Sequence, residues 1–135
     1  MIVMMKLTKK NITPVLTVEL ERRPEILFAY VFGSFAEAES FRDIDIGVYV
    51  RDSQPVADSL MYTIHLSLDS ERKTGYPVDV VLMNTAPDHL IHSISKGIVF
   101  VDRDEEFRTE WLLRAWSRYF DYQPSRRQAV ADLFE

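Results

Sequence analysis

The strongest apolar run in the chain is Ile26-Leu27-Phe28-Ala29-Tyr30-Val31-Phe32, which carries no charge and stops at Gly33. Such a run, without alternation, is the pattern of a strand buried on both faces. From Asp43 to Val50 the pattern switches to alternation. Ile44, Ile46, Val48 and Val50 fall on one side, and Asp43, Asp45, Gly47 and Tyr49 on the other. That predicts a second strand with two chemically distinct faces. Val78 to Met83, apolar but for Asp79, predicts a third strand, and Ile98-Val99-Phe100-Val101 a short fourth.

Between these runs the spacing is helical. Thr13-Pro14 predicts a helix start, with Thr13 as N-cap and proline at the first helical position. Val15, Leu16, Val18 and Leu20 supply its apolar side, and Arg23-Pro24 marks its end. Asp52, Ser53 and Pro55 open a long helix whose apolar face reads as Val56, Leu60, Ile64 and Leu68, until Gly75 and Pro77 close it. Another helix begins near Ala86-Pro87 and ends at Gly97. From Asp104 a final amphipathic helix carries Phe107, Trp111, Leu112, Ala115 and Tyr119, and Pro124 is expected to interrupt it before a short C-terminal turn. The mixture predicts an α/β (α+β sandwich) architecture, with helices packed on a small mixed β-sheet in a single domain spanning 1–135.

Composition narrows the chemistry. Forty-seven per cent hydrophobic and 27% charged residues describe an ordinary globular chain and argue against disorder. The absence of cysteine removes disulfide frameworks, thiolate zinc sites and cysteine nucleophiles. A net charge of −5 makes direct, sequence-independent nucleic-acid binding a poor expectation. The opening apolar stretch is five residues long and is followed, not preceded, by Lys6, Lys9 and Lys10, unlike a secretory signal. With no run long enough for a membrane span, the expectation is a soluble, cytoplasmic protein with no membrane partner.

Carboxylates interrupting apolar strands are the informative feature. Burying an ionised carboxylate without a partner costs several kcal/mol or forces protonation. Asp43 and Asp45, two apart on one strand, project from the same face about 7 Å apart at the backbone. Asp79, on another strand, completes a cluster if the two strands are neighbours. A divalent cation such as magnesium relieves the repulsion among them. Gly33-Ser34, directly after the first strand, offers free backbone N–H groups and a hydroxyl to a phosphate. Only a short helical turn separates it from Asp43, so phosphate donors and metal ligands should face one cleft.

Val31-Phe32-Gly33-Ser34-Phe35-Ala36, Asp43-Ile44-Asp45-Ile46 and Val78-Asp79-Val80-Val81 together resemble the minimal nucleotidyltransferases, the MNT branch of the DNA polymerase β-like superfamily. Asn84-Thr85-Ala86-Pro87, Gly97-Ile98-Val99-Phe100 and Tyr119-Phe120-Asp121-Tyr122-Gln123-Pro124 are similar to segments of MNT antitoxins, whose partners are HEPN-domain ribonuclease toxins. The resemblance implies a polymerase β-like nucleotidyltransferase fold and transfer of AMP from ATP to a tyrosine of the HEPN toxin. It implies that Gly33 and Ser34 hold the triphosphate and that Asp43 and Asp45 bind two Mg2+ ions. Asp79 then binds the catalytic ion and serves as base.

The loop from Phe35 to Arg42 departs from the family's commoner form, with Glu37-Ala38 at the usual basic-Gly position and Arg42 in place of serine. As a planar, always-charged donor, Arg42 can contact phosphate in compensation. The same two departures favour the other reading, a non-catalytic antitoxin that inhibits its toxin by complex formation around a vestigial nucleotide site. A small-molecule acceptor would need an oligomer, and homo- or hetero-oligomers are both open. Phe107, Trp111 and Trp116 read as core or interface, and His65 as a partly buried structural residue. His89 and His92, three apart on one helix face, read as a metal pair only if a third ligand were near, which the sequence does not offer.

Overall fold

The computed structural model describes residues 8–51 and 56–132, apart from the side chains of 56–58 and 122–132. The elements are α1 (Lys9–Glu21), β1 (Ile26–Phe32), α2 (Ser34–Glu37), β2 (Ile44–Val50), α3 (Val56–Thr74), β3 (Val78–Leu82), a 3-10 turn (Met83–Thr85), α4 (Asp88–Ser95), β4 (Ile98–Asp102) and α5 (Glu105–Asp132). The strands form one mixed sheet in the order β3-β2-β1-β4. β1 pairs antiparallel with β2 and β4, and β2 pairs parallel with β3. A parallel pair needs a crossover connection, and α3 supplies it.

Alternation along β2 divides the core as expected. Ile44, Ile46, Val48 and Val50 pack with Ile12, Leu16 and Leu20 of α1 and Leu66 of α3. Tyr49 faces the other way, among Phe28, Tyr30, Ile91, Ile94, Leu112 and Ala115. There Phe28 and Tyr49 stack with centroids 4.9 Å apart, and Trp111 closes on Tyr49 at 5.1 Å. Phe107 and Trp111 therefore belong to the core on this face. Each fully buried side chain of this size stabilises the fold by about 1.5–3 kcal/mol.

Three expectations need correction. α1 begins at Lys9, capped by Thr8 rather than Thr13, and Pro14 lies inside the helix. Ile12 is fully buried beside Leu16 and Leu20, so burial extends the helix one turn before the proline. The Asn11 and Ile12 N–H groups both donate to the Thr8 carbonyl, at 2.9 Å each.

The apolar ridge read on α3 is the wrong one. Leu60, Ile64 and Leu68 are exposed, whereas Leu66, Ser70 and Thr74 are buried. The buried row is also spaced by four but lies two residues, about 200°, round the helix. Its small hydroxyl residues let α3 approach the sheet closely, and the Ser67 hydroxyl donates to the Val78 carbonyl on β3. Opening of this helix by Asp52, Ser53 and Pro55, and the side chain of Val56, lie outside the described residues.

Finally, α5 runs through Pro124 to Asp132 without interruption. Proline removes one N–H donor, the rung to the Phe120 carbonyl, while the turns on either side keep theirs.

Candidate active site

The site is built at one end of the sheet, where β1 leaves and β2 and β3 begin. Strand pairing sets Phe32 opposite Asp45, and Asp45 opposite Asp79 across the parallel pair. Asp43 lies in the bend just before β2, which begins at Ile44 rather than at Asp43 as expected, and its charge still acts on Asp45. The register thus brings the three sequence-predicted carboxylates to one sheet end.

Electrostatics agree with that placement. Burial pushes the Asp45 carboxyl above the usual carboxylate range, and the negative charges of Asp43 and Asp79 push it further. Among the described residues, no lysine or arginine forms an ion pair with Asp43, Asp45 or Asp79. The set is hard oxygen donors carrying uncompensated negative charge, which fits a magnesium ion. The three nevertheless stand as separate charges. Among the described residues, no three His, Cys, Asp or Glu side chains close on a common point.

The turn that follows β1 meets these carboxylates directly. Gly33 has φ +72°, and a Cβ there would lie 2.5 Å from Asp45 Oδ2. Glycine is required twice over, by backbone conformation and by space. Its carbonyl accepts from the Ala36 and Glu37 N–H groups, at 3.1 and 3.2 Å, starting α2. Ser34 and Phe35 precede the first intrahelical bond, so their N–H groups have no helical acceptor. The Ser34 side is exposed, while Phe35 is buried and anchors the turn. Arg42 is exposed immediately before Asp43.

Sequence reasoning missed two supports of this end. Lys9, the first residue of α1, donates from Nζ to the Ala38 carbonyl at 2.7 Å and lies 5.3 Å from the Phe35 ring centroid. A lysine is thereby placed at the loop that lacks the family's basic-Gly pair. Gly97, read only as a helix stop, packs against the Val31 carbonyl and Phe32, where no Cβ would fit. The glycine itself was the available signal.

His92 is buried against Tyr119 and Trp116, ring to ring at 4.5 and 4.4 Å, consistent with a structural role. Arg114 and Arg118 are paired with Glu110 and Asp88. No described helix is long and apolar enough to cross a membrane.

A mixed sheet with helices on both faces, a glycine turn and carboxylates at adjoining strand ends define a small α/β domain with an acidic site at one end of its sheet. The chain belongs to the polymerase beta nucleotidyltransferase family, whose model matches residues 15–106 and so includes Gly33, Ser34, Asp43, Asp45 and Asp79. No curated protein matches the chain at significant similarity.

Among solved structures, one similar chain comes from a complex of tri-AMPylated Shewanella oneidensis HEPN toxin with MNT antitoxin. It has a TM-score of 0.71 and 17% identity, with 95% of this chain and 100% of that chain covered. A chain of a toxin–antitoxin complex with AMP-PNP has a TM-score of 0.70 at 20% identity, covering 96% of this chain and all of that one. A chain of the MntA-HepT toxin–antitoxin complex reaches 0.67 at 17% identity, covering 95% and 100%. At these identities the likeness establishes the fold.

Proposed function

We propose that the protein is a metal-dependent nucleotidyltransferase that acts as an antitoxin, moving AMP from ATP onto a tyrosine of a partner HEPN toxin. The observation that carries this reading is the register that sets Asp45 opposite Asp79, with the Gly33 turn against Asp45 and, among the described residues, no lysine or arginine paired to the carboxylates. Nucleotide-bearing and AMPylated complexes among proteins of the same fold support it.

Asp43, Asp45 and Asp79 hold magnesium, two ions by family analogy. The chemistry a magnesium ion would supply there is charge neutralisation for the triphosphate and acidification of the attacking hydroxyl. Gly33 and Ser34 orient the phosphates through backbone N–H groups and the hydroxyl. Arg42 adds a planar donor at the edge of the site. The tyrosine oxygen attacks the α-phosphorus of ATP, the bond to the bridging oxygen breaks, and pyrophosphate leaves. Asp79 takes the hydroxyl proton.

The test is incubation of the protein with labelled ATP, magnesium and the HEPN toxin proposed as its partner. Label is expected on the HEPN tyrosine, with loss in Asp43→Asn/Asp45→Asn. If no label transfers while that double variant still neutralises the toxin, the catalytic reading fails and inhibition by complex formation replaces it.

A further inference from the structure

What α3 leaves in solvent is as ordered as what it buries. Leu60, Met61, Ile64 and Leu68 are 68%, 51%, 40% and 50% exposed. From Ser59 to Leu68 the helix contains no Asp, Glu, Lys or Arg, in a chain that is 27% charged. Absence of charge with clustered large apolar side chains is the composition of an interface core, not of a solvated helix face. A groove lined by Leu60, Thr63, Val80, Leu82, Pro87 and Leu90 continues the surface toward β3 and α4. The four side chains expose on the order of 400 Å2, close to the apolar share of the ~800 Å2 that each partner gives to a standard interface.

We propose that this face joins two copies of the chain, α3 against α3, across a twofold axis at Ile64. Among the described side chains, the ridge Leu60–Ile64–Leu68 follows the i±4 row and reads the same in both directions. Packing that row into its own copy is the commonest helix–helix arrangement. A twofold then sets Ile64 on Ile64 of the second copy, and Leu60 on Leu68 of the second copy. An isologous interface requires such self-complementarity, whereas an unrelated partner does not. α3 packs on the sheet face that carries Ile44 and Ile46, and Asp45 alternates to the other side. Dimerisation therefore leaves both carboxylate sites open. The inference is independent of the activity proposed above.

The test uses the full chain, alone, at micromolar concentration. Light scattering should give twice the 15.8 kDa of one chain. Ile64→Arg should halve that mass with circular dichroism unchanged, because two guanidinium groups then meet on the axis. The chain has no cysteine, so Ile64→Cys provides a second test. On oxidation it should cross-link to itself far more than Val18→Cys, whose site is the more exposed of the two but lies on α1. A monomeric wild type with no excess cross-linking through Ile64→Cys overturns the proposal, as does a folded Ile64→Arg variant that remains dimeric. Loss of HEPN-protein binding by Ile64→Arg, from a wild type that is monomeric, assigns the face to the toxin and also overturns it.

Discussion

Gly33 presses on Asp45: a Cβ on the glycine would come within 2.5 Å of the Asp45 carboxylate oxygen. The turn after β1 and the central carboxylate are thus held at contact distance by the absence of one carbon. Gly33→Ala must displace that carboxylate and also force φ +72° on a residue that resists it. Nucleotide transfer should fall at least about tenfold and stability by about 1 kcal/mol or more. A transfer assay alongside urea unfolding reads both. Unchanged transfer would show that this contact does not set the site's geometry.

Asp45 makes stability and function pull in opposite directions. Its carboxyl titrates above the usual range because of burial and then the charges of Asp43 and Asp79. The folded protein therefore holds that proton more tightly than the unfolded chain does. Stability from the protonated group is fully present below the unfolded pKa and is lost as pH rises through the raised folded value. Without magnesium at neutral pH, Asp45→Asn should raise the melting temperature while abolishing transfer. Magnesium should stabilise the wild type and leave that variant unmoved. Thermal melts with and without magnesium at pH 4 and pH 7 decide the matter, and a melting temperature lowered by Asp45→Asn at pH 7 would contradict the assigned repulsion.

Lys9 ties the start of α1 to the loop after Gly33, through the Ala38 carbonyl and the face of Phe35. Lys9→Met keeps the aliphatic stem but removes the donor and the charge. If, as proposed, the turn after β1 holds the triphosphate, the expected outcome is a several-fold rise in KM for ATP with a smaller change in kcat. Exposed polar contacts of this kind are worth about 1 kcal/mol or less, so global stability should change little. Steady-state kinetics and a melt together separate loop ordering from general destabilisation.

Strands were legible because the sheet imposes a period of two, and β2 obeys it on both faces. The carboxylates were legible for a related reason. Asp45 breaks a strand that burial alone would have kept apolar, whereas Asp79 is exposed on the edge strand β3 and broke the pattern without being buried. The face of α3 was not legible from hydrophobicity, since rows 60-64-68 and 62-66-70-74 both recur every four residues. The sheet takes the row with Ser70 and Thr74, where close approach outweighs side-chain size. Thr74 tolerates burial because its hydroxyl donates to the Ser70 carbonyl at 2.9 Å. Pro14 misled because a local start signal was outweighed by burial of Ile12, a tertiary effect.

At the opposite end of β2, Asn84 finishes a ladder that β3 abandons. β3 pairs as far as Leu82 opposite Val48, and the chain then turns into its 3-10 segment. The Asn84 amide takes over at Val50, accepting from its N–H at 2.9 Å and donating to its carbonyl at 2.7 Å. One side chain thereby satisfies both outward backbone groups of the strand's last residue. Asn84→Ala leaves both unmet in a partly buried position, so the cost should be about 1–3 kcal/mol. Asn84→Asp should cost at least as much, because a carboxylate can accept from the N–H but sets its second oxygen against the Val50 carbonyl. Urea unfolding measures the loss, and amide exchange locates it, with protection expected to drop at Val50 before the centre of β2. Equal loss of protection along the whole strand would mean that Asn84 supports the sheet globally rather than closing its end.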